Sequence, residues 1–251
     1  MEYASVEEAR KRAGVRLVLC AGTPGVWGEA VKAVFGVKGI AYTPVAQQVG
    51  GENRALLEWT GQTSAPVVAM DDEPVRISWE SVLWLAERLR PEPALIPADP
   101  WERALHFGLV REIAGENGFG WCRRLQSIAA SGGPEVAPVL ARLAGKYGYS
   151  EEAAAAADAR NLEILGLLSG QLRRSGGDYY FGDRLSALDL YSAIFLGVML
   201  DPLPEALIPM PAGMRAGFER VSDALLAALD EPLRAHRERV FERYIATPLD
   251  F

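Results

Sequence analysis

The strongest constraint on this 251-residue chain is Ser186-Ala187-Leu188-Asp189, which follows the turn Tyr180-Phe181-Gly182-Asp183 and precedes an apolar run from Leu190 to Leu200. Ser186 is an N-cap residue type, and Asp189 at N3 can reach back to the Ser186 N–H, which closes a capping box. Both acceptors also lie at the positive end of the helix dipole. The helix behind them is apolar nearly all the way round, so it is predicted to be buried on every face.

Composition narrows the remaining possibilities. With 49% hydrophobic and 24% charged residues, the chain reads as an ordinary globular protein of one large or two small domains. A net charge of −7, with Arg scattered among acids, argues against a nucleic-acid footprint. No segment is apolar for long enough to insert in a membrane. Residues 1–14 are rich in Glu, Lys and Arg and lack the apolar core of a signal peptide. Cys20 and Cys122 lie about a hundred residues apart and read as reduced thiols, which implies a cytoplasmic protein. His106 and His236 stand outside any cluster, so no metal site is expected.

Along the chain, residues 15–21 read as a buried strand, Gly22–Gly25 as a turn and 26–37 as a helix. Strands follow at 40–45 and 65–70, with a short helix at 53–60 between them. The polar turn Asp71–Pro74 leads to a fourth strand at Val75–Ile77, and a helix begins at Ser78. Proline-rich residues 92–100 read as a linker. Beyond Trp101 the strand signal fades, and helices are expected at 101–131, 134–147, 151–174, 187–200, 212–229 and 231–243. The organisation is thus an extension (1–14), an α/β domain (15–91), the linker, and an all-helical domain (101–251).

Three spots in the first domain carry candidate chemistry. At Gly22-Thr23-Pro24-Gly25-Val26-Trp27, a strand turns into a helix whose N–H groups can stabilise an anion. No cysteine occupies either position a dithiol motif would use, which disfavours disulfide exchange. Thr23 offers a hydroxyl that can donate to a bound thiolate; it equally suits a helix cap with Pro24 at N1. Trp27 suits either a pocket wall or packing. Ala65-Pro66 opens the third strand, and Glu80-Ser81 opens the next helix with a carboxylate for an ammonium group and a hydroxyl for a carboxylate. An acidic first turn alone would look the same.

Together with Ser186–Asp189, these residues resemble the glutathione transferase superfamily over about residues 15–245, with no subclass identified. The resemblance implies an α+β two-domain fold: a thioredoxin-like α/β domain followed by an all-helical bundle. It also implies glutathione as co-substrate, a hydrophobic second site supplied by the helical domain, a homodimer, and a detoxification role. Carried over by position, Thr23 would face the glutathione sulfur and act in catalysis. Ala65, preceding a cis Pro66, would pair with the cysteinyl backbone, and Glu80 and Ser81 would hold the γ-glutamyl end.

The co-substrate side would draw on Pro24, Val26 and Trp27, and on His106, Arg111, Phe119, Trp121 and Arg124 of the first long helix. Glycines 115, 118 and 120 allow that helix to bend. Arg123-Arg124 reads either as an attractor for an anion or as a solvated basic pair, and His106 is a candidate base. The sequence departs from the family pattern in having Gly25-Val26-Trp27-Gly28 where relatives place Cys, Ser or a basic residue. A catalytically silent ligand- or partner-binding protein of the same fold is therefore the alternative reading.

Overall fold

A computed structural model describes all residues, Met1–Phe251. The α/β part is a three-stranded sheet of β1 (Val15–Cys20), β2 (Thr43–Gln47) and β3 (Val67–Met70), in the order β2-β1-β3. β1 runs parallel to β2, with Val18 opposite Val45, and antiparallel to β3, with Val18 opposite Val67. The apolar run of β1 is buried on both faces, as a central strand requires.

The expected fourth strand shrinks to one bridge. Arg76 exchanges backbone hydrogen bonds with Val68 (2.7 and 2.9 Å), and Ile77 lies exposed. Only three residues separate Pro74 from Ser78, and Ser78 already caps α4 (Trp79–Leu89), so no length remains for a ladder.

Residues 1–14 are part of the packing of this sheet rather than an appendage. Ala4 bridges Val45, and the Ala4 N–H donates to the Pro44 carbonyl at 2.9 Å. A Ser5–Glu8 capping box starts α1 (Val6–Arg10), whose Ala9 is fully buried. Ala4 and Ala9 close a small second core with Val18, Val45, Leu56 and Val67, against α3 (Arg54–Thr60).

α2 (Val26–Lys38) runs between β1 and β2 and faces the helical part of the molecule. There, the single helix expected over 101–131 is two: α5 (Pro100–Ala114) and α6 (Phe119–Ala130). The break is a turn too tight for side chains. A Cβ on Gly115 would lie 2.7 Å from the Arg111 carbonyl oxygen, one on Gly118 2.7 Å from that of Glu112, and Asn117 has φ +57°.

After a 3₁₀ turn at Pro134–Val136 come α7 (Pro138–Tyr147), α8 (Glu151–Ser175) and α9 (Ala187–Met199). The segment 212–229 also divides, into α10 (Ala212–Glu219) and α11 (Asp223–Ala228), because Ser222 caps a new helix through the Leu225 N–H. α12 (Glu231–Tyr244) completes the bundle.

All thirteen residues of α9 are buried, and one continuous core joins β1, α2 and α4 to α5, α8, α9 and α12. The capping box at its start reaches beyond the helix. Asp189 accepts from the Ser186 N–H (2.7 Å) and hydroxyl (2.6 Å), from the Tyr180 N–H (3.0 Å), and from His236 Nε2 of α12 (2.8 Å). The Ala187 N–H donates to the Leu95 carbonyl at 2.8 Å, which ties the helix to the segment joining the two halves. That segment is anchored rather than loose. Leu95 and Ile96 are buried, and the buried Lys38 ammonium donates to the carbonyls of Arg90 (2.7 Å) and Pro93 (2.8 Å) while pairing with Glu87 at 2.9 Å.

Candidate functional site

Strand register brings three of the sequence candidates to one end of the sheet. Since Val18 faces Val67 in antiparallel pairing, the C-terminal end of β1, and the Thr23 turn beyond it, lies beside Ala65-Pro66 at the start of β3. Since Val68 faces Arg76, Pro66 stands abreast of Ser78, where α4 opens with Trp79, Glu80 and Ser81. The Ala65–Pro66 peptide is cis. One residue at this end had no signal in the sequence. Gln47, buried at the end of β2, donates through Nε2 to the carbonyls of Gln48 (3.1 Å) and Thr63 (3.2 Å) and so holds the loop before Pro66.

The Thr23 turn differs in detail from the helix-cap alternative. The N-cap of α2 is Gly25, not Thr23, and no side chain caps the helix. Gly25 itself is extended, with φ −80° and ψ 95°, before the chain turns into the helix. Thr23 is half-buried two residues ahead of the cap, and the first-turn N–H groups of Val26, Trp27 and Gly28 have no partner within the helix. Gly25 is required by the neighbouring strand end, since a Cβ there would lie 2.8 Å from Cys20 Sγ. Burial pushes the Cys20 thiol up, opposed by the charges of Arg124 and Lys146, so this cysteine is a poor nucleophile.

At α4, Ser78 makes the cap. The Ser81 N–H donates to Ser78 Oγ (3.1 Å), and the Ser81 hydroxyl donates to the Ser78 carbonyl (2.9 Å). Glu80 is exposed at N2 of that helix.

The predicted co-substrate residues separate into two groups. Trp27, Trp121 and Arg124 are half-buried and Arg111 is exposed. Trp27 Nε1 donates to the Ala114 carbonyl at 2.8 Å, and its ring meets Phe195 edge-on at 5.1 Å and Tyr147 at 6.2 Å. It is at once a wedge between the two halves and a wall beside the Thr23 turn. Trp121 meets the same Tyr147 ring at 4.8 Å.

Pro24, Val26, His106 and Phe119, in contrast, are buried side chains that line no open surface. His106 sits between Phe107 and Phe181 with both ring nitrogens unpartnered, and burial pulls its pKa down to about 4. It is not placed to act as a base. Neither reading of Arg123 holds, since it is neither solvated nor open to substrate. Its guanidinium is buried, donating to the carbonyls of Met199 (2.8 Å) and Phe218 (2.9 Å) and to Gln126 Oε1 (2.7 Å).

Three partly open cavities lie elsewhere. Volumes of about 430, 590 and 370 Å³ sit between α2 and the C-terminal segment, beside Trp101 and Phe181, and along residues 92–98; none is lined by Thr23, Pro66 or Glu80. No helix is long and apolar enough to cross a membrane, and no group of His, Cys, Asp or Glu is arranged to hold a metal ion.

No protein-family model and no curated protein sequence matches the chain. Solved structures do. A glutathione transferase family member from Pseudomonas fluorescens with two glutathione bound superposes with a TM-score of 0.65 at 11% identity, covering 95% of this chain and 94% of that one. A glutathione S-transferase from Methylobacterium radiotolerans in complex with glutathione sulfonate gives 0.62 at 15%, covering 95% and 98%. Glutathione transferase Omega 3C from Trametes versicolor gives 0.60 at 16%, covering 98% and 94%. The chain has the glutathione transferase fold: a thioredoxin-like domain followed by a helical one.

Proposed function

We propose that the protein is a glutathione-binding transferase that activates the glutathione thiolate for attack on a small electrophile held between the two halves. The observation carrying this reading is the convergence at one sheet end of the Thr23 turn, Ala65-Pro66 and the N-terminus of α4. A tripeptide thiol laid across that end would meet a donor for its sulfur at Thr23 and backbone groups at Ala65. It would also meet the first turn of α4, with the Glu80 carboxylate, for its charged γ-glutamyl end. The uncapped first turn of α2 adds unpartnered N–H groups close to the sulfur. Each pKa unit by which these donors lower the thiol raises its reactive fraction at neutral pH about tenfold.

In this reading the protein is cytoplasmic and homodimeric and needs no metal. Ile77 and Trp84, 54% and 47% exposed at the edge of the α/β half, would be covered in the dimer. The test is Thr23→Ala. Turnover with glutathione and a reactive aryl halide should fall by about tenfold or more, while the glutathione Kd changes far less. Unchanged turnover would remove Thr23 from the mechanism.

One observation favours the silent alternative: the Ser81 hydroxyl is already committed to Ser78. Ultraviolet titration of bound glutathione separates the two readings. A lowered thiol pKa supports the enzyme; an unshifted one supports the silent binder.

A further inference from the structure

Arg124 of α6 and Lys146 of α7 take part in none of the chain's ion pairs, although the chain carries 33 acids against 26 Lys and Arg. The Arg124 guanidinium carbon lies 5.5 Å above the Phe218 ring, and its Nε is buried without a hydrogen-bond partner. Lys146 Nζ lies 5.3 Å from the centre of the Tyr147 ring, which also contacts Trp121 and Trp27.

Both charges act on the Cys20 thiol, and the Arg124 charge also acts on the Lys146 ammonium. The Tyr147 ring beside Lys146 meets Trp27, in the first turn of α2, at 6.2 Å and Trp121, one turn before Arg124 on α6, at 4.8 Å, which sets both cations on the side of the molecule that carries the Thr23 turn. Glu29, which also acts on Cys20, is buried and paired with Lys32 at 2.9 Å, so it does not neutralise them. Lys146 is exposed and Arg124 half-buried, so the spot is open to solvent and to a ligand. Two like charges held together without a counter-charge are unfavourable until an anion arrives. Half-buried Trp27 and Trp121 stand alongside as apolar walls.

We propose that the second substrate of this site is an anion: a small electrophile whose carboxylate is held by Arg124 and Lys146 while its apolar body rests on Trp27 and Trp121. The inference rests on the glutathione reading above, because it names the partner substrate of the same site.

The test compares glutathione, S-benzylglutathione and S-(4-carboxybenzyl)glutathione by calorimetric titration of the full chain. The carboxylated conjugate should bind about 5–20-fold more tightly than the benzyl conjugate at low salt, and the preference should shrink as salt is raised. Arg124→Gln and Lys146→Gln should each reduce the preference at least about threefold and leave the affinity for the benzyl conjugate within about twofold. Because Lys146 is exposed, K146Q keeps the test open if R124Q, which loses its packing on Phe218, does not fold. Glutathione and benzyl-conjugate binding with no carboxylate preference overturns this inference alone, as does a preference that survives both substitutions. Failure of all three ligands to bind overturns the proposed function and the inference with it.

Discussion

Removing the Asp189 carboxylate is predicted to be among the most destabilising single changes in the chain. Four donors converge on it: the Ser186 N–H and hydroxyl on one oxygen, and the Tyr180 N–H and His236 Nε2 on the other. Asp189 and His236 are buried together, so Asp189→Ala leaves backbone donors and an imidazole nitrogen without partners and beyond the reach of water. Breaking a buried, charge-assisted network in this way costs about 3–5 kcal/mol.

For a chain of this length, each kcal/mol lowers Tm by about 2–4 °C, so the midpoint should drop by roughly 6–20 °C. Ser186→Ala, which removes one of the four donors, should cost only about 1–2 kcal/mol. Asp189→Asn, which turns one acceptor edge into a donor facing an N–H, should fall between the two. Urea unfolding followed by far-ultraviolet circular dichroism measures all three, with an unchanged m value placing the effect in the native state. A loss below about 1 kcal/mol for Asp189→Ala would refute the reasoning, because the box would then be a local cap and nothing more.

Two further substitutions address the interior. His106 is neutral in the folded state with a pKa near 4, whereas in the unfolded chain it titrates near 6.5. The unfolded state therefore binds the extra proton first, so its contribution to stability declines as pH falls from about 6.5 to 4 and is constant below that. The loss totals about 3 kcal/mol. His106→Leu should flatten that part of the stability–pH profile; a profile parallel to the parent's would refute it. Gly120→Ala places a Cβ 2.5 Å from Phe195 Cε1 and 3.0 Å from Trp27 Cζ2, which should cost about 1–3 kcal/mol in the urea midpoint. An unchanged midpoint would show that Phe195 swings aside freely.

What could be read from the sequence was whatever is encoded over a few neighbouring residues. The Ser186–Asp189 box was legible because a cap and its N3 partner are three positions apart, and the burial of α9 because its apolar residues are contiguous. The β-α-β order of the first half followed from short apolar runs between Gly and Pro turns. Local rules failed where two of them competed. Ser222 restarted a helix inside a run that looked continuous, and Ser78 capped α4 so early that the expected fourth strand was left as one bridge.

The environment of Arg123 was illegible for a different reason. Its carbonyl partners Met199 and Phe218 lie 76 and 95 positions away, and nothing beside Arg123 announces them. Lys146 carries no local signal either: its significance comes from Tyr147 and from Trp27, which meets that ring from α2.

Lys38 ends α2, and the turn that carries Thr23 leads into its other end, which gives the helix a mechanical character. Thirteen residues make a strut about 20 Å long, stiff against axial compression. One end carries the turn beside Thr23; the other grips the carbonyls of Arg90 and Pro93, and through Glu87 the start of the crossing to the helical half. The Thr23 turn and the junction between the two halves are thus joined by one uninterrupted helix. Replacing Lys38 frees the carbonyls of Arg90 and Pro93 and the Glu87 carboxylate together, so it loosens the junction at the end of the rod opposite the Thr23 turn.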